Sequence, residues 1–462
     1  MNVYVINPYR TTEPHFPIIG MISDYHSLIW NVQLYGLGDF EITLPATPEN
    51  VSLLKEGRFL VREEDIQNRW LGAQHPEYKN CMIIRTVHTE YDADFGNVLH
   101  ITGKSVKDVL SQRIIWEPYE DVETALTGII VTLMIENVTD PEGFAQDKLE
   151  AAEADQTDAV TALEEAQDAK DDAQTEYLDA KTAYDQAVED HGEDSPEAQA
   201  AKEAMDAAKA ELEEAIQAVA DALAVKIKAD QVVAYYTAYA AVAPLRQIPY
   251  ITAGLIDLPI TPPMLTLSLH GENLGEWIET ICTEYGLGWN MYIDETGMNF
   301  EFVVGSDKSS TVEFSPELDN LKNAVYTRTL ETYRNAALAV GEGEGTDQTQ
   351  AYIGGSAASA RYEAYVDTGL TRDENVSWLN YQKMVKQYGS SEITKLKKRE
   401  TISGEIDTDG VYKIGEDFDL GDIVSVKLDN GISATTRLIE IILADEASGT
   451  SVTGTFEEWE VS

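Results

Sequence analysis

Apolar and polar positions follow one another in two different rhythms, and the change of rhythm divides the chain. Up to about residue 120 the apolar runs are short, often alternating, and punctuated by turn residues, which predicts strands. Residues 3–6, 27–35, 40–44, 58–62, 82–90 and 98–103 are such runs. Gly36-Leu37-Gly38-Asp39 and residues 92–97 supply turns between neighbouring runs, so hairpins are expected at both. A compact barrel or sandwich is the natural closure for so many short strands. Val106, Val109, Leu110 and Ile114 then fit a short helix, and the apolar run 126–135 fits a buried one, about half the length that a bilayer span requires.

From residue 145 the period becomes helical. Stepping by alternating threes and fours from Leu149 meets Ala152, Gln156, Ala159, Leu163, Ala166, Lys170, Ala173, Tyr177, Ala180, Tyr184 and Ala187, ten of the twelve being apolar. A second register runs Ala198, Ala201, Met205, Ala208, Leu212, Ala215, Val219, Ala222, Lys226, Ala229, Val233 and Tyr236, with only Lys226 polar. These are coiled-coil heptads in which every second seam residue is alanine, small enough for two helices to approach closely. Between the registers, Gly192 suits the left-handed residue after a helix, and Ser195 before Pro196 suits an N-cap with proline at the first helical position. One antiparallel hairpin over 145–240 is the expectation, with arms of roughly 45 residues making a rod about 65–70 Å long. A disordered acidic linker and a bundle between chains are the competing readings of this segment.

Punctuation returns with Pro244, Pro249, Pro259, Pro262 and Pro263. Leu274, Trp277, Ile278, Ile281 and Cys282 have helical spacing, ended by Gly286-Leu287-Gly288. Strands are expected at 289–293 and 299–304, and later at 394–406, 423–428, 435–443 and 451–456. The fold class is therefore α+β: β-barrel-rich domains with small helices, interrupted by a long antiparallel coiled-coil hairpin. The expected division is a β-rich tube-like domain over 1–120, connecting segments of the same body at 121–144 and 241–265, the hairpin at 145–240, an α+β domain over 266–345 and a β-rich C-terminal domain over 346–462. The ends of the hairpin must then lie together, and the rod should project from a loop of a folded domain.

Charge narrows the function. Among 462 residues, 82 acids stand against 33 bases for a net charge of −49, which disfavours binding to a phosphate backbone. Cys81 and Cys282 are the only cysteines, so no disulfide framework or paired-cysteine metal site is expected. The first residues have neither the basic nor the apolar region of a secretion signal, and synthesis is expected to end in the cytoplasm. His88, Glu90 and Asp92 share a strand face, with His100 opposite His88 across the turn; a metal fits there, and so does a plain polar sheet face. Asp92-x-Asp94 and Asp407-x-Asp409-Gly410 lack the distal glutamate of a calcium loop. Gly341-Glu342-Gly343-Glu344-Gly345 follows an apolar strand, but its two glutamates repel phosphate and no Lys-Ser/Thr follows, which predicts a flexible loop. Lys395, Lys397, Lys398 and Arg399 form the one basic cluster, read as an exposed strand face or an intersubunit salt-bridge surface. No catalytic, cofactor or metal site is nominated.

Several separated stretches resemble a known family. They are Tyr35-Gly36-Leu37-Gly38-Asp39-Phe40-Glu41-Ile42-Thr43-Leu44-Pro45, Ile83-Ile84-Arg85, Leu99 to Ser105 with Leu110 and Arg113-Ile114-Ile115, then Arg246-Gln247-Ile248-Pro249, Val312-Glu313-Phe314-Ser315-Pro316 with Asn320-Leu321, Tyr333-Arg334-Asn335-Ala336-Ala337 leading into Gly341-Glu342-Gly343-Glu344-Gly345, and Phe418-Asp419-Leu420-Gly421-Asp422-Ile423-Val424. In this order they resemble siphophage tail-hub proteins, the baseplate or tail-tip hubs of the tail-associated-lysin type. The resemblance implies a structural virion protein rather than an enzyme: a homotrimer whose tube domains close the distal end of the tail tube and form the conduit for DNA ejection. Its implied partners are distal tail or tail-tube proteins and the tape measure protein, its place the virion tail tip after assembly in the bacterial host cytoplasm, and phage DNA passes through without specific binding. Relatives often carry a C-terminal cell-wall hydrolase; none is expected here. A host-binding adhesin or injection-system component presenting the rod is the alternative, and a cell-wall hydrolase a more distant one. The acidic hairpin departs from the family pattern, so the resemblance assigns it no role.

Overall fold

The computed structural model describes residues 1–12, 15–67, 76–93, 95–252, 258, 260–355, 358–372, 376–394, 396, 399–407, 410–446 and 449–457. The chain forms two units, one of residues 1–112, 256–263 and 275–462, the other of residues 113–255 and 264–274.

In the first unit, strand alternation does what the pattern predicts. Ser27–Gln33 and Asp39–Pro45 turn Leu28, Trp30, Phe40, Ile42 and Leu44 inward and leave Ile29 and Glu41 outside. The two strands pair antiparallel with Trp30 opposite Phe40. Beyond Asp39–Pro45 the sheet continues through Gly96–Ser105, Met82–Asp92, Phe59–Arg62, Val3–Ile6 and Ile18–Ile22. Beyond Ser27–Gln33 it continues through Ser433–Glu446, Gly449–Phe456, Arg399–Ile406 and Leu321–Thr329. Glu313–Phe314 and Ile423–Lys427 bring it to thirteen strands among the described residues. One core serves both ends of the chain, with Val3, Trp30 and Leu60 in the same apolar cluster as Phe314, Phe418 and Phe456.

The expected closed barrel is not formed. Ile18–Ile22 and Leu321–Thr329 stand at the two ends of the strand path, and no pairing joins them among the described residues. A barrel closes only when its two edges pair. Here Ser27–Gln33 takes Ser433–Glu446 as its neighbour, from Glu440 opposite Gln33 to Glu446 opposite Ser27. The C-terminal strands therefore extend the sheet where an N-terminal barrel would have closed on itself.

Two local expectations also change. Val106–Gln112 is a 3-10 turn rather than an α-helix, and Ile114 lies beyond it, exposed. In the C-terminal part, a helix that the pattern did not reveal, Trp378–Thr394, packs Tyr381 and Val385 on Ala339 and Ala351 of a small sheet. That sheet joins Ala336–Val340 to Gln350–Ile353 antiparallel and to Glu363–Asp367 in parallel.

The second unit carries the hairpin. The buried helix Leu126–Met134 passes through one π turn, Ile135–Thr139, into Pro141–His191; Pro196–Val242 runs back. The reversal is built as its residues suggest: Gly192 has φ 87°, and the Ser195 hydroxyl accepts from the Ala198 N–H at 3.1 Å. All twelve seam positions of each arm are buried or half-buried, and among the other positions from 149 to 187 only Val160 is comparably sheltered. Two of the polar seam residues share one partner. Gln156 Nε2 and Lys226 Nζ reach the two carboxylate oxygens of Asp230 at 2.8 and 2.6 Å, which fixes the antiparallel register. Arms of 51 and 47 residues are about 77 and 70 Å long at the α-helical rise. Among the described residues, no helix is both long and apolar enough to cross a membrane.

Candidate functional site

Two motifs separated by the whole hairpin meet at its root. Arg113 Nε donates to the carbonyl of Arg246 at 2.5 Å, and the buried Arg246 returns through Nη2 to the Ile114 carbonyl at 2.7 Å. Arg246 also donates to Asn137 Oδ1 at 2.9 Å and to the Tyr239 hydroxyl at 3.1 Å, and its guanidinium lies 4.3 Å over the Trp116 ring. The next two residues hold the π turn, Gln247 by donating to the Thr139 carbonyl and Ile248 by donating to that of Val138. Ala145, Tyr239 and Ala243 fill the space between, with Phe144 edge-on to Tyr239.

Two carboxylates are built into this root. Glu136 is 4% exposed and accepts the Tyr119 hydroxyl at 2.6 and 2.7 Å. Burial pushes its carboxyl up to about 7, against the opposing pull of the Tyr119 hydrogen bond. Glu117 accepts from the Tyr236 hydroxyl at 2.7 Å and Lys148 Nζ at 3.3 Å. The donors and acceptors face one another and clamp the two arms, so the arrangement is a mechanical anchor.

In the first unit the motif residues do similar work on turns. The Gln33, Leu34 and Gly36 carbonyls converge on the buried Lys107, whose Nζ donates to the Gln33 and Gly36 oxygens at 2.8 Å each and lies 4.7 Å from the Trp289 ring. Burial lowers the Lys107 ammonium to about 7. Trp289 Nε1 holds the Tyr35 carbonyl at 2.6 Å, and the Tyr35 hydroxyl donates to Glu457 at 2.7 Å. Asp422 accepts the N–H groups of Ser306 and Asp419 at 2.6 and 3.0 Å. Beside it, Gly305 lies so close to the Gly421 carbonyl that a Cβ would fall 1.8 Å from its oxygen. The buried Asn320 bridges the Ser315 N–H and the Glu313 carbonyl, both at 2.8 Å, and Asn335 bridges the Tyr362 N–H and the Ala360 carbonyl.

The residues weighed for chemistry are distributed as follows. His88 stands opposite His100 in register, and Glu90 reaches His100 Nε2 at 2.9 Å and His88 Nε2 at 3.5 Å. Asp92 turns away to accept the Phe95 N–H, and no group of three potential ligands is poised for a metal among the described residues. Asp94, Asp409 and the lysines 395, 397 and 398 of the basic cluster lie outside the described residues. The Gly341–Gly345 loop is pinned: the Glu342 N–H donates to the Tyr381 hydroxyl at 2.6 Å, and the Glu342 carboxylate accepts the Arg372 N–H at 2.8 Å. Both cysteines are buried, and burial pushes the Cys282 thiol up to about 12, the wrong direction for a nucleophile. A groove of about 500 Å³ on the main sheet is lined by Asp39, Glu41, Arg85, Lys104 and Asp108, with Arg85 Nε donating to Asp108 at 2.7 Å.

The resemblance to siphophage proteins is supported by comparison with known families. The chain belongs to the Siphovirus ReqiPepy6 Gp37-like protein family, whose model matches residues 3–167 and 155–456. No curated protein matches the sequence. The structure is similar to the 43 kDa tail protein of prophage MuSo2 from Shewanella oneidensis, with TM-score 0.49 and 8% identity over 99% of this chain and 98% of that one. It is also similar to a tail protein from Neisseria meningitidis MC58, with TM-score 0.44 and 11% identity over 99% and 96%. A third likeness is to the E. coli c3393 protein, a component of the type VI secretion system, with TM-score 0.37 and 7% identity over 95% and 74%.

Proposed function

We propose that this chain is a structural component of a siphovirus tail tip, a non-enzymatic hub that assembles as a homotrimer, closes the distal tail tube and gives the genome its exit. The observation that carries this reading is the family match across residues 3–456, together with motif side chains, Arg113, Arg246, Asn320, Asn335 and Asp422, that bind backbone groups. Charge is consistent with it. A net charge of −49 per chain, wherever it lines a lumen, repels phosphate and lets DNA slide without binding. Distal tail and tail-tube proteins, with the tape measure protein above them, are the partners such a hub would meet.

Native mass spectrometry of the purified chain and gold labelling of virions with an antibody to it test this reading. A trimer, with label confined to the tail tip, supports it; a monomer at every concentration, or label elsewhere on the particle, defeats it. The length of the hairpin favours one second reading, a host-binding adhesin presented on the rod. Deleting residues 145–240 separates the two, since a hub keeps its oligomeric state without the rod while an adhesin loses host attachment.

A further inference from the structure

The hairpin is acidic, with 25 acids against 7 bases over residues 145–230, yet its second arm is not polar on all of its outer surface. Outside the seam, Ile216, Leu223 and Ile227 follow at intervals of seven and four, which puts them within about 40° of one another around the helix. They are 51%, 44% and 49% exposed. Ala220 lies within the same stripe and Ala234 and Ala241 carry it toward the root, all exposed, so that it runs over about 38 Å of helix. Asp230, the charged member of the stripe, is turned to the seam and held there by Gln156 and Lys226. Single exposed apolar side chains need no explanation, but a stripe with helical period is the surface on which one helix receives another.

Charge decides what the second helix is. Another copy of the hairpin would set its own 25 acids against these, which the 7 bases of the hairpin are too few to neutralise, although Glu213 beside the stripe is paired with Lys209 at 3.7 Å and Asp171 on the other arm with Lys170 at 2.9 Å. A basic helix gains where a second copy is repelled. We propose that the Ile216, Leu223 and Ile227 stripe is the docking surface for a basic amphipathic helix of another protein, its apolar face on the stripe and its lysines or arginines against the flanking acids. This holds for a hub or an adhesin, and so does not rest on the functional reading above.

The test uses the full-length chain and a synthetic amphipathic helix with leucine at its seam positions and lysine elsewhere, beside a shuffled peptide of the same composition. Binding is read by fluorescence anisotropy at two salt concentrations, with Leu223→Gln/Ile227→Gln and, as a milder variant, Ile216→Gln. The amphipathic peptide should bind, the double variant should lose roughly tenfold or more in affinity while keeping its helical melt, and salt should weaken what remains. Equal binding of the shuffled peptide, or unchanged affinity in the variants, would reduce the stripe to general acidity and overturn the proposal. A lower oligomeric mass of the variants by light scattering would assign the stripe to a second copy instead, and would overturn it equally.

Discussion

Replacing Arg246 by Met keeps most of the buried stem and removes the guanidinium that ties the two flanks of the hairpin together. The Ile114 carbonyl then loses its donor at 2.7 Å, Asn137 Oδ1 loses one at 2.9 Å while keeping the Trp116 N–H at 3.2 Å, and the Trp116 ring loses a cation 4.3 Å away. An orphaned buried acceptor costs about 1–3 kcal/mol, and a desolvated cation–π contact is worth about 2 kcal/mol. Some of this is returned, because the charge no longer has to be buried. A net loss of about 2–4 kcal/mol is expected, a drop of roughly 4–16 °C in the melting temperature of a unit of this size. Circular dichroism reads it, since arms of 51 and 47 residues dominate the helical signal. Calorimetry should show the melt of the other unit in place. Arg246→Lys, which keeps the charge but not the planar fork, should fall between Met and the natural residue. A Met variant whose hairpin melts within about 2 °C of the natural chain would refute the anchor.

Three further outcomes are expected. Glu136, lifted to about 7 in the folded state from an ordinary value of 4.5, binds a proton on folding, so its stabilisation is complete below the unfolded value and is lost as pH rises through about 7; the hairpin should melt several degrees higher near pH 5 than near pH 8, and Glu136→Gln should flatten that dependence. Lys107→Met leaves the Gln33 and Gly36 carbonyls without their donor and should cost the first unit about 2–4 kcal/mol in urea unfolding followed by tryptophan fluorescence; a loss below about 0.5 kcal/mol would show that the turn holds itself. Gly305→Ala drives a Cβ against the Gly421 carbonyl and should destabilise by about 1–3 kcal/mol or more, whereas Gly355→Ala, with open space around it, should be close to neutral by the same thermal melt.

The hairpin was legible because its information is local. Twelve seam positions per arm repeat with one period, and a glycine with a capped proline marks the reversal, so no distant residue is needed to read it. His88 facing His100 was legible for the same reason, a single turn fixing the register of two neighbouring strands. Closure of the sheet was not. Ser27–Gln33 could be seen as a strand, but nothing in its alternation says that its partner is Ser433–Glu446 rather than a nearer strand. Trp378–Thr394 escaped because, among the described residues, it buries only Tyr381, Val385 and Gly389 among many polar ones, too sparse a stripe to mark a helix. The root of the hairpin was half legible. Arg113 and Arg246 stood out by resemblance, while Glu117 and Glu136 carry no local signal, since a charged residue usually faces water and only the folded chain shows these two buried.

The hub claim is tested most directly by two-dimensional class averages of the purified full-length chain in negative stain. The account predicts three-fold rings with a central hole and three thin projections, one hairpin for each chain. Separate compact particles, each bearing a single rod at every concentration tried, would contradict it.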